Sequence, residues 1–168
     1  MKHLEIDIAK IAQLGEQNRD KNFDFRVFLK GQDFKKVDRI VHRFNKEITS
    51  KIDCQKCGNC CKSLRPCVTE SEIERLSGID NITSADFVSR FVEKENYDNI
   101  AYLKGLPCKY LKDKICSIYR DRPEDCKSFP HTDKTGFVYR TLEMIENYGI
   151  CPIVYNLLER LKPELGFK

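Results

Sequence analysis

The chain has 168 residues, 40% of them hydrophobic and 33% charged, with a formal net charge of +4. That length and apolar content support a domain with its own core, and exclude both a disordered chain and a mini-protein needing disulfides for want of a core. No stretch approaches the roughly 20 apolar residues that span a bilayer, so no membrane partner is expected. At the N-terminus, Glu5, Asp7 and Lys10 break the apolar run that a secretory signal requires, which points to a cytoplasmic protein with reduced thiols. Leu4, Ile8, Ile11 and Ala12 predict a short amphipathic helix over residues 4–14. Phe23, Phe25, Val27 and Leu29 alternate with polar residues and suggest a short strand or extended segment. Over residues 33–52 the signal is helical: Phe34, Val37, Val41, Phe44 and Ile48 recur at intervals of three and four, Ile40 broadens the stripe, and Asp33 can cap the start. So short a stripe reads as a face packed on its own domain rather than a dimer seam.

Downstream, Thr69-Glu-Ser-Glu72 is a capping box opening a helix that stops at Gly78. Thr83 is placed to cap another, running to about Glu95, with Phe87, Val88, Phe91 and Val92 on its buried face. Residues 107–116 predict a tight hairpin turning at Lys112–Lys114, with Cys108 and Cys116 at its strand ends. Asp121-Arg-Pro123 predicts a short helix carrying Cys126. Residues 137–142 suggest a strand, and Pro152 begins a final helix to about Leu161.

The cysteines are the least random feature of the chain. Cys54, Cys57, Cys60 and Cys61 fall within eight residues; Cys108, Cys116, Cys126 and Cys151 follow at wider intervals, and Cys67 is a ninth. Thiolates are soft ligands that hold zinc or iron tightly. A two-residue gap lets two sulfurs converge from one turn, and Gly58 tolerates the positive φ that such a knuckle needs. Neighbouring residues tend to point in different directions, so Cys60 and Cys61 suit different ions. Two four-thiolate sites, or one site plus an iron–sulfur cluster, both fit the count. Cys54-x2-Cys57-x2-Cys60 matches the first three positions of a bacterial ferredoxin run, but Leu64 stands where the fourth should be. Cys108 or Cys151-Pro152 could complete a [4Fe-4S] cube. The Cys-x3-Cys-x2-Cys spacing of radical-initiating proteins is absent.

Charge bears on partners. Metal binding deprotonates cysteines; eight thiolates and two divalent ions together cancel the formal +4. Lys56, Lys62, Arg65 and the bases between residues 109 and 127 read as charge compensation. There is no basic stripe interleaved with aromatics and no second close ligand pair, so nucleic acid is not expected as a partner. The eight glycines are isolated, with no Gly-rich loop to cradle a nucleotide.

Cys54-x2-Cys-Gly-x-Cys-Cys61, then Pro107-Cys-x-Tyr-Leu111, Cys116-Ser-Ile-Tyr-Arg-Asp-Arg-Pro123 and Cys126-Lys-Ser-Phe-Pro130, resemble the YkgJ-type cysteine-cluster family. The resemblance covers about residues 50–152, and Lys127 replaces its usual arginine. It implies a zinc- or iron-chelating domain whose ligands are Cys54, Cys57, Cys60, Cys61, Cys108, Cys116, Cys126 and Cys151. The spacing keeps an iron–sulfur redox protein as the alternative, and because some relatives are labelled flagellin lysine N-methylases, the resemblance adds to it an enzyme or accessory factor in protein modification. Cys67 falls outside the pattern and reads as a free or packing thiol. His131 reads as a hydrogen-bonded loop residue, and His3 and His42 have no partner pattern.

These readings combine into a small, mainly helical α+β domain organised around a cysteine-ligated metal core, with a short β-hairpin. Residues 1–49 are expected to form a helical or extended segment packed on the same domain as a metal-binding region over 50–168. Zinc or iron is the expected cofactor and the metal ion the expected partner. The residues identify no catalytic group and no protein partner.

Overall fold

The computed structural model describes residues 4–94 and 100–168. Along the chain, helices α1 (Ile8–Gln17), α2 (Arg19–Lys30) and α3 (Phe34–Thr49) precede two single-turn helices, α4 (Cys54–Cys57) and α5 (Cys60–Ser63). Next come α6 (Glu70–Ile79), α7 (Ser84–Phe91) and the short strands β1 (Val92–Lys94), β2 (Ala101–Leu103), β3 (Leu111–Lys112) and β4 (Ile115–Cys116). Helices α8 (Glu124–Ser128), α9 (Thr141–Tyr148) and α10 (Pro152–Glu164) complete the set, with 3-10 turns at Tyr119–Asp121 and Phe137–Arg140. The fold is mainly helical α+β, with two small antiparallel strand pairs. Among the described residues, no helix is long and apolar enough to cross a membrane.

Two compact units divide the chain: Pro130–Lys168 with the described residues up to Asp53, and Cys54–Phe129. The first is a helical bundle. Its core is Ile11, Phe25, Leu29, Val37, Val41, Ile48, Phe137, Met144, Tyr148, Leu157 and Leu161, all buried. Helix α10 packs on α3 and α9, while α1 packs on α2, α9 and α10. The Asp33 carboxylate accepts from the Lys36 N–H at 3.0 Å and starts α3 where expected. Helix α1 starts later than residue 4, because the Asn156 side chain pairs with the Glu5 backbone, accepting its N–H (3.0 Å) and donating to its carbonyl (2.7 Å). Asp7 then caps α1.

Two expected strands in this unit are corrected. Residues 23–29 lie within α2: Phe25 and Leu29, one helical turn apart, are buried, whereas Phe23 and Val27 are exposed. Over seven residues a spacing of two also contains a spacing of four, and burial selects the helical subset. Phe167 packs on both Phe25 and Phe28, with ring centroids 5.0 and 5.3 Å apart. Residues 137–142 form the 3-10 turn and the start of α9. Gly136 adopts a left-handed φ of 72°, and the Asp38 carboxylate accepts the N–H groups of Gly136 and Phe137 at 2.8 and 3.0 Å. Those donors are satisfied without a neighbouring strand.

The second unit is smaller. Val68, Ile73, Leu76, Phe87, Val92, Leu103 and Tyr110 form its core, and Cys108, Cys116 and Ile118 pack against it. The capping box at Thr69 and Glu72 closes in both directions, so α6 begins as predicted. Helix α7, capped by Thr83, ends at Phe91, short of the expected extent; the chain turns into β1, which pairs with β2 through Val92–Leu103, Glu93–Tyr102 and Lys94–Ala101. Glu95 lies outside the described residues. In the β3–β4 hairpin Leu111 pairs with Cys116 and Lys112 with Ile115. Asp113 and Lys114 take positive φ values of 48° and 75°, the two-residue turn that suits the twist of such a hairpin.

Candidate metal centre

The first cysteine loop is built by two single helical turns. Cys54 and Cys57 bracket α4, and Cys60 and Cys61 open α5. Gly58 joins them with a φ of 59°, and a Cβ there would drive into the backbone carbonyl of Lys114. Only glycine lets this loop lie directly against the β3–β4 turn. Helix α4 thereby packs on β4, which carries Cys116.

A second link fixes the other side of the loop. The Cys108 N–H donates to the Cys61 carbonyl at 2.7 Å, setting the start of the hairpin segment against α5. Cys60 and Cys61 point together rather than apart, their Sγ atoms 4.0 Å from one another. A tetrahedron with metal–sulfur bonds of about 2.3 Å has sulfur–sulfur edges of about 3.8 Å, so this pair already stands near a ligating separation.

The electrostatics tie in the later cysteines. The Cys61 thiol is pushed up by the Cys60 sulfur, then by burial. Burial raises Cys108 and Cys116, and the charge of Cys61 adds to both. Burial pushes Cys126 up to about 12, with Cys61, Asp125, Cys108 and Cys116 contributing. The Cys61 charge thus acts on the thiols of Cys108, Cys116 and Cys126 alike. Arg122 opposes the rise at Cys61 and Cys116. Its guanidinium sits 3.7 Å from the Tyr119 ring centroid and donates to the Tyr119 carbonyl at 2.5 Å.

Two carboxylates hold the Cys126 helix. Glu72 accepts from the Glu124 N–H at 2.6 Å while serving the capping box of α6. Asp125 accepts from the Cys67 N–H at 3.0 Å. Cys67 therefore sits beside the residue preceding Cys126, and burial followed by the Asp125 charge raises its thiol. The Thr-x-x-Glu pattern marks Glu72 as a cap; nothing local marks its second partner, Glu124.

The remaining expected ligands lie as follows. Cys54 is exposed and Cys57 half-buried. Cys151 belongs to the helical unit, buried at the N-cap of α10, where its N–H donates to the Asn147 carbonyl at 2.8 Å. His131 is also in that unit, with Nε2 3.9 Å from a Glu143 carboxylate oxygen. No cysteine is joined in a disulfide among the described residues. Nor, among those residues, do three His, Cys, Asp or Glu side chains already stand around one point as a closed metal site. The donor set nevertheless fits a soft cation: thiols from remote parts of the chain, carried on one shared backbone frame.

The family model CxxCxxCC, described as a "Putative zinc- or iron-chelating domain", matches residues 53–151, more than half of the chain. An uncharacterized protein of Methanocaldococcus jannaschii is 35% identical over 83 residues, which are 47% of this chain and 44% of that protein. The chain thus spans less than half the length of this curated relative. No solved structure matches the chain.

Proposed function

The chain belongs to the CxxCxxCC family, and from that premise we propose that it binds zinc or iron through the thiolates of Cys60, Cys61, Cys108, Cys116 and Cys126, with Cys54 and Cys57 of the same loop as further donors. The observation that carries this reading is the seating of the first cysteine loop on the hairpin segment, through the Cys108–Cys61 backbone hydrogen bond and the close approach of Gly58 to Lys114. Cysteines remote in sequence thereby share one neighbourhood. Reduced thiols suit a cytoplasmic setting. A bound cation would supply the positive charge that lets these thiols ionise together, and so add folding free energy to residues 54–129. Structural zinc in thiolate sites contributes roughly 10–16 kcal/mol in model peptides, as much as the roughly 5–15 kcal/mol that stabilises a whole domain. The role is read as largely structural.

The test is elemental analysis of anaerobically purified wild type and Cys61→Ser, with acid-labile sulfide and a visible spectrum. Wild type should carry zinc or iron in stoichiometric amount and Cys61→Ser should lose it. Sulfide matching the iron would assign a cluster instead of single ions. Wild type that arrives without metal, and takes up neither zinc nor iron on reconstitution, would overturn the reading.

A further inference from the structure

Lys109, read from the sequence as charge compensation for the thiolates, turns its side chain into a cage of aromatic rings and a carboxylate. Lysine ordinarily extends its ammonium into water along an apolar stem. Here the Nζ lies 3.5 Å from the Phe91 ring centroid, 4.7 Å from that of Tyr110 and 5.3 Å from that of Phe87. Asp80 pairs with the ammonium, and the Tyr110 hydroxyl donates to the same Asp80 oxygen at 3.1 Å. The Lys109 side chain is only 25% exposed and that of Asp80 20%. Three aromatic faces and one carboxylate make a box selective for a cation, since each ring presents its negative face and the acid supplies the counter-charge. Phe87 and Phe91 stand one turn apart on α7, and Asp80 is the C-cap of α6, so these three walls belong to a pair of helices packed on each other, while Tyr110 comes from the anchored segment itself. The occupant is covalently next to Cys108, whose amide holds the Cys61 carbonyl.

We infer that Lys109 is a positioning residue of the metal centre: its caged ammonium anchors residues 108–110 to α6 and α7 and so holds the Cys108 thiol where the metal is bound. This rests on the reading of Cys108 as a ligand. Partners that orient a ligand from outside the coordination sphere are typically worth about 10- to 100-fold in metal affinity. Lys109→Met keeps the length of the stem and removes the charge. In the full chain loaded with zinc, it should release metal to a chelator about 10- to 100-fold faster than wild type, whereas Lys112→Met, on the exposed hairpin, should release it at the wild-type rate. In the metal-free chain, Lys109→Met should speed alkylation of Cys108 and leave that of Cys126 unchanged, as read by peptide mass mapping. A merely structural lysine would lower stability without this selectivity. Should Lys109→Met fail to fold, Phe91→Leu and Asp80→Asn carry the same expectations. Release as slow as wild type, or alkylation raised equally at both cysteines, overturns the inference. Wild type that holds no metal defeats the metal reading instead, and the alkylation arm still decides whether the cage fixes Cys108.

Discussion

Gly58→Ala probes the junction on which the candidate centre depends. The position has a left-handed φ of 59°, which costs an alanine about 1–2 kcal/mol. The added methyl also meets the Lys114 backbone carbonyl, which cannot swing aside as a side-chain end would; overpacking of this kind costs about 1–3 kcal/mol. Together about 2–5 kcal/mol is at stake, a large share of the roughly 5–15 kcal/mol that holds a domain together. Gly78→Ala is the matched control. Gly78 lies in α6 with open space where a methyl group would stand, so alanine there should be neutral or stabilising by about 0.5–1 kcal/mol. Urea unfolding of the zinc-loaded proteins, followed by circular dichroism and by metal release, separates the two. Gly58→Ala should unfold at lower urea and release metal earlier, while Gly78→Ala matches or exceeds wild type. A Gly58→Ala protein with the wild-type midpoint and metal retention would refute the idea that this contact seats the cysteine loop on the hairpin.

Two further outcomes test other parts of the molecule. Burial, joined by the neighbouring thiols, pushes Cys126 from 9.0 up to about 12, and Cys108 and Cys116 are raised by the same causes. A thiol whose folded pKa exceeds its unfolded value stabilises the fold below the unfolded pKa and loses that contribution as pH rises through the folded one. Metal-free protein should therefore lose stability from pH 9 to about 12, seen as a falling melting temperature; stability rising over that interval would contradict the buried placement of these thiols. Metal binding reverses the sign, because ligated thiolates give up their protons on loading. In the helical unit, both amide atoms of Asn22 are buried without a hydrogen-bond partner among the described residues. Asn22→Leu, of similar size, should stabilise the protein by about 1–3 kcal/mol by removing that desolvation cost, and a lower melting temperature would count against it.

Features specified by adjacent residues were legible from the chain alone. The Asp33 cap, the Thr69–Glu72 box, the Pro152 start of α10 and the turn joining β3 to β4 each depend on hydrogen bonds or dihedrals spanning a few residues, whereas Cys108, expected at a strand end, lies three residues before β3. The alternation at residues 23–29 was ambiguous because both periods fit so short a run, and only the burial of Phe25 and Leu29 chose between them. Helix α7 stops at Phe91 because Val92 finds a strand partner in Leu103, which lies beyond the range of any local pattern.

The candidate centre divides along the same line. The crowding of Cys54–Cys61 is written in consecutive residues, as is a glycine free to take the positive φ of a tight knuckle, since ligand spacing and backbone dihedrals act within one turn; that this glycine also meets the Lys114 carbonyl is not. That Cys61 meets Cys108, that Glu72 reaches Glu124, and that Lys109 turns inward onto Phe87, Phe91 and Asp80 were decided by packing. Such meetings come from the burial of apolar faces far apart in the chain, and that burial places charged and thiol groups at distances no spacing rule contains.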